Sequence, residues 1–169
     1  MKRVSLMLCA ALLIFAVGIV CGLNVRNARA DAATVANAPT LGWSLHIDAK
    51  KHFGDAHPDE IAHHFCKPVT GGLTECQIYD SDAGDARLVA LETIVPTSTW
   101  AGFSAAEKAM WHYHRVEITK VDAKMPDLSA DQAAKVVASI LETYGKVYVA
   151  WDPASSSAPL GQPYVSILR

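Results

Sequence analysis

One run of residues constrains the fold of this chain more than any other: "ARLVALETIVP", from Ala86 to Pro96. Between Arg87 and Val95 it is aliphatic and β-branched, and Pro96 ends it, which predicts a strand packed into a core. Glu92 interrupts it, on the face of Leu88 and Ala90. A carboxylate buried there needs a partner, because an unpaired charge inside a protein costs several kcal/mol. Arg87, Arg115 or a metal ion would serve. The alternative is a Glu92 at an exposed strand edge, paired to a lysine.

The first thirty residues stand apart from any such core. Lys2 and Arg3 open the chain, and Val4 to Val25 carries no charge. Ala28 and Ala30 in "NARADA" then form the small-residue pattern of a signal-peptidase site. Residues 1–30 are expected to be a signal peptide that takes the protein to the periplasm or outside the cell. An uncleaved membrane anchor is the alternative, since about 20 apolar residues span a bilayer. Four of the 15 basic residues and none of the 17 acidic ones lie in this segment. The other 139 residues therefore hold 11 basic against 17 acidic groups, a net charge of −6 without a basic run. Such a surface argues against nucleic acid as a partner.

Of four cysteines, Cys9 and Cys21 fall in the leader and Cys66 and Cys76 remain. In an oxidising compartment an even pair reads first as a disulfide, and closing so short a loop contributes roughly 2.5 kcal/mol. Two free thiols, or thiolate metal ligands, are the other readings.

Residues 31–40 read as a flexible tether, and residues 41–169 as one domain. "DAHPDEIAHHFC" carries helix-start chemistry in Pro58, Asp59 and Glu60. Gly71-Gly72 makes a turn into a strand over 75–79. Ser104 with Glu107, and Ser129 with Gln132, have capping-box spacing. A strand is expected around 112–120. The longest helix follows Ser129, with Val136, Val137, Ile140, Leu141 and Tyr144 as its apolar stripe and Gly145 as its end. "KVYVAW" and "PYVSIL" are further strands. The pattern predicts an α+β fold, a mainly antiparallel sheet with one long and two short helices.

"WHYH" supplies the candidate chemistry. On a strand His112 and His114 share a face, which is how a sheet offers two imidazoles to one ion. With one or two further ligands they suit zinc or another first-row transition metal. Glu92 and His64 are the expected companions. Glu117 and His63 are alternates, because Glu117 faces away from His112 on a straight strand and adjacent His63 and His64 diverge on a helix. Taken singly, each histidine reads as a surface or hydrogen-bonded residue rather than a ligand. The sequence has no H-E-x-x-H, paired C-x-x-C, G-x-S-x-G or dinucleotide loop. Asp80, Asp82 and Asp85 only resemble a calcium loop, whose twelfth position here is Leu91.

The blocks "HHFC", "CQIYDSD", "ARLVALETIVP", "EKAMWHYHRVEI", "YGKVYVAW" and "PLGQPYVSI" together resemble, in order, the oil-body-associated protein family, over about His46 to Ile167. That family is a domain of unknown function known from plant seed oil bodies, with fungal and bacterial members. The resemblance implies association with a lipid or envelope surface and brings no catalytic residues. The export signal departs from the plant pattern. The "WHYH" block corresponds to a similar block in plant members, so the candidate ligands lie in a shared motif.

Overall fold

The computed structural model describes residues 39–53 and 60–167. The expected leader, most of the tether, and the Pro58 helix start lie outside the described residues. Gly42–Arg169 form one compact unit. Its strands are β1 (Leu45–Lys50), β2 (Ile61–Val69), β3 (Leu73–Tyr79), β4 (Leu88–Pro96), β5 (His112–Tyr113), β6 (Thr143–Val149) and β7 (Tyr164–Ser166). All pairings are antiparallel, in the order β1-β2-β3-β4-β6-β5, and β7 joins β6 beside β5. The helices are α1 (Thr97–Ala101), α2 (Ala105–Lys108), α3 (His114–Glu117) and α4 (Ala130–Ile140). The α+β class with a mainly antiparallel sheet is as expected. No helix among the described residues is long and apolar enough to cross a membrane.

One sheet face is the core. Ala62, Ile78, Ala90, Val147 and Val149 are buried there with Phe53 and Val89, and Cys66, Cys76 and Ile94 continue the layer with Leu45 and Ile47 against them. Cys66 and Cys76 are direct cross-strand partners and are bonded to each other.

Three local expectations change. His63–Cys66 belong to β2 rather than to a helix. Ala62, His64 and Cys66 are buried while their neighbours are more exposed, a period of two that strand pairing on both sides imposes over the helix-start residues upstream. The expected strand over 112–120 is only two residues long and passes into a helical turn at His114. The long helix ends at Ile140 instead of Gly145. Its capping box, Ser129 with Gln132, is present. Tyr144 and Gly145 lie in β6, where the Tyr144 ring stacks on Trp100 at 4.0 Å and on Tyr113 at 4.8 Å. Aromatic and β-branched residues from Thr143 onward favour a pleated surface, and this stacking overrides the helical periodicity. The acidic turn after β3 closes on itself through Asp80 and Arg87, whose backbone N–H and Nε both donate to the Asp80 carboxylate.

Replacing Cys66 and Cys76 together by alanine should lower unfolding free energy by about 2–3 kcal/mol, read as a lower denaturant midpoint relative to the parent chain.

Candidate metal centre

Glu92 sits in the middle of β4 and is buried, 6% exposed. Its partners are neither Arg87, which pairs with Asp80, nor Arg115, which pairs with Glu142. They are the two histidines of "WHYH". His112 Nε2 lies 3.1 Å and His114 Nε2 3.3 Å from the same Glu92 Oε1. These ligand atoms all fall within 4.8 Å of one another, and all three residues are buried.

Local sequence explains how the pair arrives there. The α2 turn is capped by Ser104, whose hydroxyl accepts from Glu107 N–H. The Glu107 carboxylate in turn accepts from Trp111 Nε1 at 2.8 Å and from Lys146 Nζ at 2.7 Å, tying the start of the block to β6. Tyr113 donates to Glu142. His112 pairs in register with Gly145, which also faces Ile94 of β4. A Cβ at position 145 would lie 2.1 Å from Glu92 Oε1 and 2.5 Å from His112 Nε2. Gly145 therefore leaves the space that the carboxylate and imidazole share, a role that the helix-end reading hid.

The helical turn of α3 also delivers Glu117. On a straight strand it would face away, but the turn brings Oε2 to 2.7 Å from His112 Nε2. Its other oxygen is 2.7 Å from His52 Nε2. His52 was not foreseen; it follows β1 in "KKHF", a context with no motif, and only the fold brings it near.

Tautomers follow from the hydrogen bonds. Thr143 Oγ1 donates its single proton to Ile140 O at 2.6 Å, so it accepts from His114 Nδ1 at 2.7 Å. His52 Nδ1 donates to Lys50 O at 2.9 Å, and His64 Nδ1 donates to Ala62 O at 3.1 Å. In each ring Nδ1 carries a proton held by the protein, and Nε2 is the other nitrogen, facing Glu92 in His114 and Glu117 in His52. Metal-binding histidines are oriented in this way. His112 differs: its Nδ1 is buried without a hydrogen-bond partner, and its Nε2 faces both the Glu92 and the Glu117 carboxylates.

The electrostatics are those of a tightly packed acid–imidazole group. Burial pulls the His112 imidazolium down, but the Glu117 and Glu92 carboxylates outweigh it and raise its pKa to about 9. Burial pushes Glu117 up, and His112 with His52 outweighs that, leaving it at about 2. Glu92 is held well below its ordinary range, its own burial overcome by His112 and His114. His52 is raised, because Glu117 prevails over desolvation. Burial lowers His64, against a weaker pull from Glu92, and so keeps it a neutral imidazole.

A cleft of about 430 Å³ opens beside His52, Trp111, His112, Glu117 and Lys120. A smaller, largely apolar cavity of about 60 Å³ lies inside, against His64, Glu92, His114, Ile140 and the disulfide. His52 and Glu117 line both. The structure thus gathers Glu92, His112, His114 and Glu117. His64 forms part of the inner wall without joining the tight group, and His63 lies on the other sheet face beside Asp48. Cys66 and Cys76, bonded to each other, offer no thiolate.

Fold and site define a small α+β domain with a buried histidine–carboxylate group above an antiparallel sheet. The chain belongs to the family of proteins of unknown function DUF1264, whose family model matches residues 38–167. It is 31% identical over 138 residues to oil body-associated protein 1B of Arabidopsis thaliana, covering 80% of this chain and 57% of the relative. Over 133 residues it is 31% identical to maize (Zea mays) oil body-associated protein 1A, covering 78% and 56%. With maize oil body-associated protein 2B the identity is 32% over 117 residues, covering 67% and 46%. The chain thus spans about half the length of the curated relatives it matches. No solved structure matches it significantly.

Two outcomes are expected of the metal-free chain. Gly145→Ala forces Glu92 or His112 aside and should cost about 2–3 kcal/mol in denaturant unfolding. The second concerns pH. The folded pKa of His112 is about 9 against an ordinary 6.5, so its stabilisation is complete below pH 6.5 and lost as pH rises through 9. A fall on the order of 3 kcal/mol between those limits, measured by urea unfolding, is predicted.

Proposed function

We propose that this chain is a metal-binding domain that holds a divalent first-row transition ion, zinc foremost, on Glu92, His112 and His114. The convergence of both imidazole Nε2 atoms on one buried carboxylate oxygen carries the reading. Four further features support it. His114 Nδ1 is committed to Thr143, which aims its Nε2 inward. His112 Nε2 is within reach of a second carboxylate, Glu117, as well as Glu92. Gly145 clears the space. Nitrogen and oxygen donors of this kind suit zinc and its neighbours better than calcium or magnesium.

Three protein ligands leave a coordination position open, and a metal so held supplies Lewis-acid chemistry. Glu117 lines the open cleft beside His112, where its carboxylate, kept ionised by His112 and His52, can accept a hydrogen bond from a water and orient it. His64 is a neutral imidazole on the inner wall and a reserve ligand. A hydrolytic role would use these residues; the substrate would enter through the cleft. Export through residues 1–30 would place the chain in an oxidising compartment, consistent with the Cys66–Cys76 bond.

A second reading has its own support. The relatives are named for association with oil bodies. On the sheet face away from the site, Leu91 and Tyr148 are paired neighbours, both exposed, and Leu88 is exposed beyond them. In that reading the protein associates with a lipid or envelope surface and the histidine group is architectural.

Metal analysis by mass spectrometry separates the two. The full-length chain should retain about one equivalent of metal that the His112→Ala/His114→Ala variant loses, with the parent fold kept by circular dichroism. A chain that takes up no zinc, iron or copper at this site and partitions onto phospholipid-coated oil droplets would support the second reading instead.

A further inference from the structure

The adjacent histidines of "HHFC" point to opposite faces of β2. His64 lines the inner cavity, and His63 faces outward with residues of β1. There a second group converges. Asp48 Oδ1 lies 2.7 Å from His63 Nδ1 and 2.9 Å from His46 Nε2, and the ligand atoms of the three residues fall within 4.8 Å of one another. Each of these three atoms is buried, and none makes an aligned hydrogen bond within the protein. His46 itself is only 6% exposed. Two imidazole nitrogens thus converge on one carboxylate oxygen at ion-pair distance, a donor set that a divalent ion can bridge.

The surroundings hold the group in place. Asp48 exchanges both backbone hydrogen bonds with Lys124 at 2.8 Å, which fixes the Asp48 side of the pocket. The His46 ring stacks on Phe65 at 4.5 Å, nearly parallel, so its orientation is set by packing. Its far nitrogen, Nδ1, lies 3.2 Å from Asp127 Oδ2. A carboxylate on the outer nitrogen of a histidine whose inner nitrogen faces the ligand group is the usual outer-shell arrangement of a metal ligand.

We propose a second transition-metal site on the outer face of the sheet, formed by His46, Asp48 and His63 with Asp127 behind His46. Two imidazoles and one carboxylate select borderline ions such as zinc, nickel or copper over calcium and magnesium, with water completing the coordination. The site is separate from the Glu92 group, and neither needs the other.

The test is zinc stoichiometry by equilibrium dialysis of the full-length chain after removal of metal with chelator. Two equivalents per chain are expected, falling to one in His46→Ala/His63→Ala and to a different one in His112→Ala/His114→Ala. Asp48→Asn, which keeps the side-chain volume, should also bind one and guards against loss of fold in the double variant. A parent chain that binds a single equivalent, abolished by His112→Ala/His114→Ala, would overturn the second site and leave the first. Undiminished binding by Asp48→Asn together with His46→Ala/His63→Ala would overturn it as well. One equivalent lost on Asp48→Asn but kept by His112→Ala/His114→Ala would support the outer site and refute the Glu92 centre.

Discussion

The carboxylate of Glu92 sets the terms for the rest of the domain. A negative charge in the middle of the most aliphatic strand requires positive charge to approach it, and the strand order makes that possible. β6 lies beside β4, and β5 lies beside β6, so the block that starts at His112 can reach across one strand to Glu92. It does so only because Gly145 of the intervening strand has no side chain there. Farther out, the Glu107 link to Trp111 and Lys146 and the aromatic stack of Trp100, Tyr144 and Tyr113 hold β5 against β6. Polar and aromatic residues scattered along the chain thus contribute to one arrangement: two imidazoles above a buried carboxylate.

Parts of this arrangement were legible in the sequence because local chemistry determines them. β4 follows from a long aliphatic run ended by proline. The capped starts at Ser104 and Ser129 follow from side chains that bond to nearby backbone, and the cysteine pairing from a count of two. Glu92, His112 and His114 were found together for similar reasons: one is out of character in its strand, and the others are spaced two apart. What escaped depends on non-local contacts. His63–Cys66 became strand because two neighbours pair with it, whereas upstream residues carry helix-start chemistry. Gly145 reads as a helix end until β4 and β5 are laid beside it. Glu117 was underrated because a straight strand was assumed where the backbone turns into a helix after Tyr113. His52 has no local signature at all.

Alternation along β2 divides the histidines between two environments. His64 is a buried, neutral ring on the core side, while His63 meets His46 and Asp48 on the other. On a helix the same two residues would diverge by about 100° and share one region of surface. On a strand they serve opposite faces, so the adjacent histidines of "HHFC" enter two separate environments. The disulfide at Cys66 then fixes the register beside His64.

The central claim is that the Nε2 atoms of His112 and His114 are metal ligands, with the His114 Nδ1 proton held by Thr143. Long-range proton–nitrogen NMR of the histidine rings, recorded with and without zinc, addresses it most directly. On saturation with zinc, the Nε2 signals of His112 and His114 should move to metal-bound positions while His114 Nδ1 stays protonated. Ring signals of His112 and His114 that keep their metal-free positions at saturating zinc would contradict the account.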